Sequence, residues 1–385
     1  MRQNRLLIAS FLSFLLHGYI AWRLLPALAL GPTGFGLALG LLLASGLLAP
    51  APLLIRLSAL PERVANSLAW VGYLALGVFS TLLVLCLLRD VLLALLTGWD
   101  FLQPGIVKLD SLRHASAVAV VALSLGVSLI GLFNARRLAK VVQVDLPIVG
   151  LPAALSGFTI VQLSDIHVGP TIKRGYLDAI VRRVNGLNAD LVAITGDVID
   201  GSVDRLRTHV APLSELRSRH GTYCVTGNHE YYHGVEAWLQ EWRRLGLRVL
   251  LNEGDVLHHD GARLLIGGVT DFTAHHYDAA HRSDAVAAAW SADPVALKLL
   301  LAHQPRSAAA AAEAGFDVQL SGHTHGGQFW PWNFFVPMQQ PFVAGLNRLN
   351  KLLVYTSRGT GYWGPPLRFR APSEITQLRL VPAAV

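Results

Sequence analysis

Five short polar motifs lie between residues 165 and 328, and each follows a short apolar run. All five offer oxygen or imidazole nitrogen, and none offers a thiolate. Donors of this kind favour hard or borderline divalent cations over a structural zinc. The motifs are Asp165-x-His167, Gly196-Asp197-x-x-Asp200, Gly227-Asn228-His229-Glu230, His303 and Gly322-His323-Thr324-His325-Gly326-Gly327-Gln328.

The apolar runs predict strands that are buried on both faces. We expect strands at 141–148, 158–163, 191–195, 222–226, 263–269, 299–302, 318–320 and 352–356, with helices at 173–184 and 235–245. In α/β proteins, ligands gather beyond the carboxyl ends of the strands. The pattern therefore predicts that five strand ends deliver Asp, Asn or His side chains to one edge, with glycines that allow tight turns between them.

Taken singly, most of these motifs are weak evidence for a site. An Asp that follows a strand, such as Asp197, is more often a turn residue or a helix cap. A lone His303 is more often a satisfied polar group. Asn228 is stronger evidence, because an amide oxygen at a buried strand end can bind a metal. The pair His323 and His325, bracketed by glycines, is the most specific part.

In this order and spacing, the motifs resemble those of the calcineurin-like metallophosphoesterase family over roughly residues 141–385. The resemblance implies a mixed α+β and α/β fold, a four-layer αββα sandwich, and two divalent cations that share one Asp. The first cation would bind Asp165, His167, Asp197 and His325, and the second would bind Asp197, Asn228, His303 and His323. Nitrogen and oxygen ligands admit Mn, Fe, Zn or Mg, so the identity of the metals stays open.

The resemblance also implies a chemistry. Phosphodiester or pyrophosphate bonds would be hydrolysed by a hydroxide that bridges the two metals. His229 follows Asn228 but is not a ligand in the family pattern, and as the catalytic residue it would protonate the leaving oxygen or stabilise its charge. Either Glu230 or Asp200 is expected to orient His229, and Asp200 has helix capping as an alternative role.

The first 140 residues contain apolar stretches near 6–22, 33–55, 67–88 and 115–134. Each is about long enough to cross a hydrocarbon core as a helix. We therefore predict an N-terminal bundle of about four transmembrane helices in residues 1–140, ahead of a catalytic domain at 141–385. Arg89 and Asp90 interrupt the third stretch, which suggests a separate interfacial segment at 91–97. Together with the form of the last motif, this layout resembles the bacterial transmembrane branch of the family.

The excess positive charge belongs to this first part. Residues 1–140 hold 11 Lys and Arg against 4 Asp and Glu, whereas residues 141–385 hold 21 of each. A nucleic-acid-binding protein would carry its basic excess on the binding domain, so no nucleic-acid partner is expected. If the N-terminus is inside, seven basic residues, Arg56 among them, flank the cytoplasmic side and four the outer side. That count predicts a multi-pass protein of the bacterial inner membrane with a cytoplasmic catalytic domain, although one miscounted span would reverse the orientation.

An aromatic and proline-rich segment, 329–337, follows the last motif and predicts a loop rather than a strand. Two interpretations stay open for it. It either covers the core, or it forms a lip in which Trp330 and Trp332 meet the bilayer or an acyl chain. Arg358, in the later glycine-rich stretch 357–366, is expected to contact a substrate phosphate.

These features favour a membrane-anchored, metal-dependent phosphoric ester hydrolase whose partners are the lipid bilayer and a phosphorylated or lipid-linked small molecule. One candidate substrate is the pyrophosphate of a UDP-2,3-diacylglucosamine precursor of lipid A, which similar membrane-associated relatives cleave; another is a nucleotide phosphodiester. A membrane sensor or scaffold with a silent site is the alternative from another class, and the complete ligand set argues against it. A transporter is disfavoured, because four helices without internal repeats and with few ionisable residues make a poor pathway.

Overall fold

A computed structural model describes residues 2–52, 60–106 and 108–383 of the 385-residue chain. The chain divides into two compact units. The helical unit comprises Met1–Phe133 and Gly364–Leu367, and the sandwich unit comprises Asn134–Trp363 and Arg368–Val385. Four residues from the C-terminal half of the chain thus belong to the helical unit, which the sequence did not indicate.

The helices α1 (Arg2–Leu24), α2 (Pro32–Leu48), α3 (Glu62–Leu102) and α4 (Leu109–Arg136) precede the first strand. Among the described residues, Leu7–Leu24, Glu62–Leu102 and Leu109–Arg136 are long and apolar enough to cross a membrane. α2 has only 17 residues. Its length of about 25 Å is less than the hydrocarbon core of about 30 Å. The predicted span 33–55 ends among residues 53–59, which lie outside the described residues together with Arg56, so the predicted count of four is not confirmed.

α3 continues through Arg89 and Asp90 for 41 residues, so the predicted break at that point is wrong. Both charged side chains find partners on neighbouring helices. Asp90 accepts hydrogen bonds from the Tyr19 hydroxyl at 2.6 Å and from Arg23 Nε at 2.7 Å. Arg89 is buried and donates to a hydroxyl and a carbonyl oxygen of α4. Because these charges are paired, they do not force the apolar helix to end.

The sandwich unit is built on two mixed six-stranded sheets. The first has the order β1 (Lys140–Ile148), β12 (Glu374–Pro382), β2 (Thr159–Leu163), β3 (Leu191–Thr195), β4 (Thr222–Val225) and β5 (Arg248–Val249). The second has the order β10 (Gly345–Leu349), β11 (Leu352–Thr356), β9 (Val318–Ser321), β8 (Leu297–Leu301), β7 (Ala262–Gly268) and β6 (Glu253–His259). β2 to β5 are parallel, as are β7, β8, β9 and β11, whereas β12 is antiparallel to β2.

Alternate side chains of the strands enter different cores, because successive residues of a strand point to opposite faces. In β3, Leu191 and Ala193 lie in the core between the sheets, and Val192 and Ile194 lie in the core beneath the helices. The helices of this unit are α5 (Arg174–Asn185), α6 (Val203–Val210), α7 (Asn228–Tyr232), α8 (Val235–Arg244), α9 (Ala285–Ala288) and α10 (Ala308–Glu313). α5, α6 and α8 cover the first sheet, and α9 and α10 cover the second. The unit is therefore an α/β sandwich of four layers.

Candidate metal centre

The predicted motifs meet at one edge of the two sheets. Their residues follow the carboxyl ends of five parallel strands: Asp165 and His167 after β2, Asp197 after β3, Asn228 after β4, His303 after β8, and His323 and His325 after β9. Six of these side chains are buried and His323 is partly exposed. The chain thus brings together the seven side chains that were predicted as metal ligands, which lie up to 160 positions apart in sequence.

The first ligand group consists of Asp165, His167 and His325. His167 Nε2 lies 3.1 Å from His325 Nε2. His325 Nε2 lies 3.4 Å from Asp165 Oδ1. Asp197 adjoins this group, with its Oδ2 3.9 Å from His167 Nε2. One carboxylate and two imidazoles therefore point their donor atoms at a common centre.

The second ligand group consists of Asp197, Asn228, His303 and His323. His303 Nε2 lies at its centre, 3.2 Å from each of three atoms: Asp197 Oδ2, Asn228 Oδ1 and His323 Nδ1. Since Asp197 Oδ2 faces both groups, it has the position that a shared ligand requires. The structure does not itself test which side chains bind metal, so the ligand roles stay predictions.

The backbone of the ligand residues is strained. Five of the seven have a left-handed φ: 53° at Asp165, 54° at His167, 53° at Asp197, 68° at His323 and 52° at His325. Residues other than glycine rarely adopt this conformation, at a cost of about 1–3 kcal/mol each. Strain of this kind persists only where the surroundings impose it. Here it aims carboxylate and imidazole donors inward.

Two motif glycines let the loops approach closely. A Cβ atom at Gly322 would lie 2.0 Å from Ser164 Oγ and 2.1 Å from Asp165 Oδ2. A Cβ atom at Gly227 would lie 2.2 Å from Asp197 Oδ1. Any side chain at either position would displace a ligand carboxylate. The donor types, their convergence and this close approach together fit divalent metal ions.

Glu230 is buried, and its carboxylate is hydrogen-bonded to backbone N–H groups rather than to the His229 ring. It accepts hydrogen bonds from the N–H groups of Gly227 at 2.7 Å, Val198 at 2.9 Å and Asp197 at 3.1 Å. These bonds tie the loop after β4 to the loop after β3. Of the two residues expected to orient His229, Glu230 is therefore not the one that contacts its ring.

Asp200 is the residue that contacts the His229 ring. Its Oδ1 is hydrogen-bonded to His229 Nδ1, and its Oδ2 lies 3.3 Å from His167 Nδ1. A carboxylate behind an imidazole fixes the ring orientation and raises its basicity. The alternative of helix capping is wrong, because the N-cap of α6 is Ser202.

His229 adjoins both ligand groups. Its backbone N–H donates to Asp197 Oδ1 at 2.9 Å, and its ring centroid lies 4.7 Å from that of His167. Burial disfavours the charged ring, but the carboxylates of Asp197 and Asp200 outweigh burial and raise the pKa of His229 to about 9. Likewise burial alone would raise the pKa of Asp197, yet the neighbouring His303 and His229 hold it well below its usual range. A ring that is protonated at neutral pH suits proton donation.

Sequence reasoning missed Arg368, a fully buried cation. Its Nη2 donates to His325 Nδ1 at 2.9 Å, its Nη1 to the His325 carbonyl oxygen at 2.8 Å, and its Nε to the Gly361 carbonyl oxygen at 3.1 Å. Burial lowers the pKa of Arg368 to about 10. It follows His325 by 43 residues in an Arg-Phe-Arg stretch, where no local signal separates it from an exposed basic residue.

The three side chains predicted to bind substrate lie outside the two ligand groups. Arg358 Nη1 donates to the buried Glu374 Oε2 at 2.8 Å. The aromatic segment forms two short 3-10 turns, Trp332–Phe334 and Val336–Met338, which agrees with the predicted loop. Trp332 is exposed and Trp330 is partly exposed. Their contact with a substrate stays a prediction.

A helix–sheet–sheet–helix sandwich with carboxylate, amide and imidazole donors at its edge defines a class of metal-binding α/β proteins. A model of the calcineurin-like phosphoesterase family matches residues 158–327. An uncharacterized metallophosphoesterase of Campylobacter jejuni is 34% identical over 293 residues, which cover 74% of this chain and 76% of that protein. The chain therefore belongs to the calcineurin-like metallophosphoesterase family, as the motifs predicted.

Two relatives described as transmembrane proteins are covered over a smaller share of their length. A transmembrane protein with metallophosphoesterase domain from Bos taurus is 42% identical over 282 residues, covering 70% of this chain but 63% of that protein. The share is 59% for the Danio rerio protein of the same description. Among solved structures, the Haemophilus influenzae NAD nucleotidase aligns with a TM-score of 0.37 and 17% identity, over 53% of this chain and 45% of that one. No conclusion about function follows from a structural similarity at this level.

Proposed function

We propose that this chain is a membrane-associated phosphoesterase that hydrolyses phosphodiester or pyrophosphate bonds at a dinuclear metal centre. The observation that carries the proposal is the position of Asp197, which faces both ligand groups, with His229 beside it. Two divalent ions held by these groups would supply a water of lowered pKa and positive charge for the phosphoryl oxygens.

The residues around the two groups have separable tasks in this proposal. His229 donates a proton to the leaving oxygen, and Asp200 holds its ring in place through Nδ1. Glu230 fixes the loops that carry Asp197 and Asn228. The donors are nitrogen and oxygen, so Mn, Fe, Zn and Mg all fit, and availability would decide among them.

The proposed location is the bacterial inner membrane, with several spans and the sandwich unit in the cytoplasm. Three described helices have the length and composition of spans. The orientation rests on the basic residues that flank the apolar stretches. The balanced charge of residues 141–385 supports a small-molecule substrate rather than a nucleic acid.

A lipid-linked phosphate or pyrophosphate is the proposed substrate. Its support is the aromatic segment, which exposes Trp332, Phe334, Phe335 and Met338 in one short stretch. Large apolar side chains that are grouped on a surface mark contacts with lipid or with a partner. The pyrophosphate of a UDP-2,3-diacylglucosamine precursor fits this description, because it joins a phosphoester to acyl chains.

The test is turnover by the purified, Mn²⁺-loaded full chain. The substrates are an aryl phosphodiester, an aryl phosphomonoester and UDP-2,3-diacylglucosamine in mixed micelles, with His303→Ala as the control for contaminating activity. We expect hydrolysis of the diester and the lipid and little of the monoester. A chain that binds metal but hydrolyses none of the three would instead support the silent sensor or scaffold.

Trp330→Ala and Trp332→Ala test the lip separately. Loss of these rings should raise the KM for the micellar lipid by about fivefold, because each buries apolar area against the acyl chains. The soluble aryl diester serves as the internal control and should be unaffected. Unchanged kinetics on the lipid would remove the lip from the proposal while leaving the hydrolase in place.

A further inference from the structure

Three aromatic side chains, Tyr232, Tyr277 and Trp363, adjoin His229 or each other. The ring centroid of Tyr232 lies 5.0 Å from that of His229, and the Tyr277 centroid lies 5.6 Å from that of Tyr232. The Trp363 indole meets His229 edge to face, with centroids 6.1 Å apart and planes at 82°. We call these three side chains the aromatic rim.

The aromatic rim is exposed, although the histidine behind it is buried. Tyr232 is 47% exposed, Tyr277 56% and Trp363 50%, compared with 5% for His229. Single exposed aromatic residues are common on protein surfaces and need no explanation. Here two of them, Tyr232 and Trp363, flank His229, and Tyr277 extends the group from Tyr232, so exposed ring faces lie beside this imidazole.

Gln328, the last residue of the Gly-His-Thr-His-Gly-Gly-Gln motif, holds Trp363 in place. Its Nε2 donates to the Trp363 carbonyl oxygen at 2.8 Å, and its Oε1 accepts from the Trp363 N–H at 2.9 Å. Gln328 itself has a left-handed φ of 58°, a strained conformation for this residue type. A side-chain amide offers a donor and an acceptor together, which matches the two backbone atoms of one residue. The Gln328 side chain thus links the end of the motif to Trp363, while its backbone N–H donates to the His325 carbonyl oxygen at 3.0 Å.

We propose that the aromatic rim stacks against a flat aromatic or heteroaromatic group on the leaving side of the substrate, and that Gln328 is the positioning residue that sets Trp363 for this contact. The inference rests on the proposed function, because it takes His229 as the group that meets the leaving oxygen. Ring faces favour planar partners in offset or edge-to-face contact. Gln328 bonds both the N–H and the carbonyl oxygen of Trp363, which favours one fixed position of this residue. A flexible acyl chain would instead need a groove that can adapt to it.

Calorimetric binding of two small phosphates to the Mn²⁺-loaded full chain isolates the contact. Adenosine 5′-monophosphate and ribose 5-phosphate share the sugar and the phosphate, and only the first carries a base. We expect the nucleotide to bind about tenfold more tightly, as stacking of one base on an aromatic residue provides. Trp363→Ala should bring the two dissociation constants together and leave that of ribose 5-phosphate unchanged.

Trp290→Ala is the matched control, since Trp290 is an exposed tryptophan that follows α9 in the same unit. This variant should keep the wild-type ratio of the two dissociation constants. The stacking proposal would be wrong if the wild type bound the two ligands equally. It would also be wrong if the ratio of their dissociation constants were unchanged in Trp363→Ala. Binding is measured here without turnover. The stacking contact can therefore be present in a chain that does not hydrolyse phosphoesters, or absent from one that does, and the two experiments distinguish these cases.

A double-mutant cycle tests Gln328. Gln328→Ala should lower the ratio as much as Trp363→Ala does, and the double variant should show no further loss, because both act through one indole. Gln328→Glu keeps the acceptor for the Trp363 N–H but loses the donor, so an intermediate ratio is expected. Additive effects of the two single substitutions would show that Gln328 acts elsewhere and would overturn its positioning role.

Discussion

His303 in the second ligand group and His325 in the first are both buried imidazoles, yet different atoms lie behind their Nδ1. His303 Nδ1 lies 2.8 Å from the Thr195 carbonyl oxygen. His325 Nδ1 lies 2.9 Å from Nη2 of Arg368. A carbonyl accepts a proton and a guanidinium can only donate one. At Nδ1 the two rings therefore have opposite roles, as a donor in His303 and as an acceptor in His325.

The difference shows that the two rings are positioned by opposite kinds of partner. His303 Nδ1 donates to a carbonyl oxygen, which leaves Nε2, the atom that lies 3.2 Å from Asp197, Asn228 and His323, for a metal ion. His325 accepts at Nδ1, and this contact with Arg368 sets the direction in which its Nε2 faces Asp165. Burial and the charge of Arg368 hold the pKa of His325 well below its usual range, so the ring stays neutral.

Replacement of the residue that faces both groups should have the largest effect. Asp197→Ala is expected to lose both metal ions and at least about a thousandfold in turnover, because it removes the one carboxylate common to the two sites. Elemental analysis of the purified chain gives the metal content. His303→Ala is the matched control and should lose only the ion of the second group. Two ions per chain in the Asp197 variant would contradict the shared role.

His229 is predicted to act in catalysis without binding a metal ion. His229→Ala should keep both ions and lose about 10²- to 10⁴-fold in turnover, the range for one general acid. Metal content and kcat are measured on the same preparation. Near-normal turnover would remove His229 from the mechanism, and loss of metal would make it a ligand instead.

The smallest predicted effect bears most directly on the contrast between the two rings. Arg368→Lys keeps the charge but loses the planar fork that bonds His325 at two atoms, so the first group should bind its metal about 10- to 100-fold more weakly. The second group should be unaffected and acts as the internal control in a calorimetric metal titration. Equal weakening at both sites would point to a general loss of stability.

Much of the architecture could be predicted because buried strands leave a local signal. The predicted strands 191–195 and 352–356 coincide with β3 and β11 in the structure. Edge strand β6 escaped prediction, since its Glu-Gly-Asp-Val-Leu-His-His sequence lacks the apolar run of a buried strand. β12 was also missed, although its positions are mostly buried.

The site shows the same division. Each predicted ligand residue follows an apolar run and was singled out from that position, and Asp200 was one of the two residues expected to orient His229. The contacts of Arg368 and Gln328 join distant chain segments and left no such signal. Arg368 bonds two carbonyl oxygens and the His325 ring, and neither kind of partner calls for an arginine at a given place in the sequence. The sequence does not separate Trp363 from other exposed tryptophans, because the Gln328 side chain that bonds it lies 35 residues earlier.

The place of β12 has a consequence for the order in which the fold can be completed. β12 follows the other strands of the described chain, yet it lies between β1 and β2, parallel to the former and antiparallel to the latter. During synthesis, β1 leaves the ribosome long before the strand that connects it to the sheet. Until residues 374–382 are synthesised, β1 and β2 therefore lack the strand between them, and their unpaired edges are open to association with other chains.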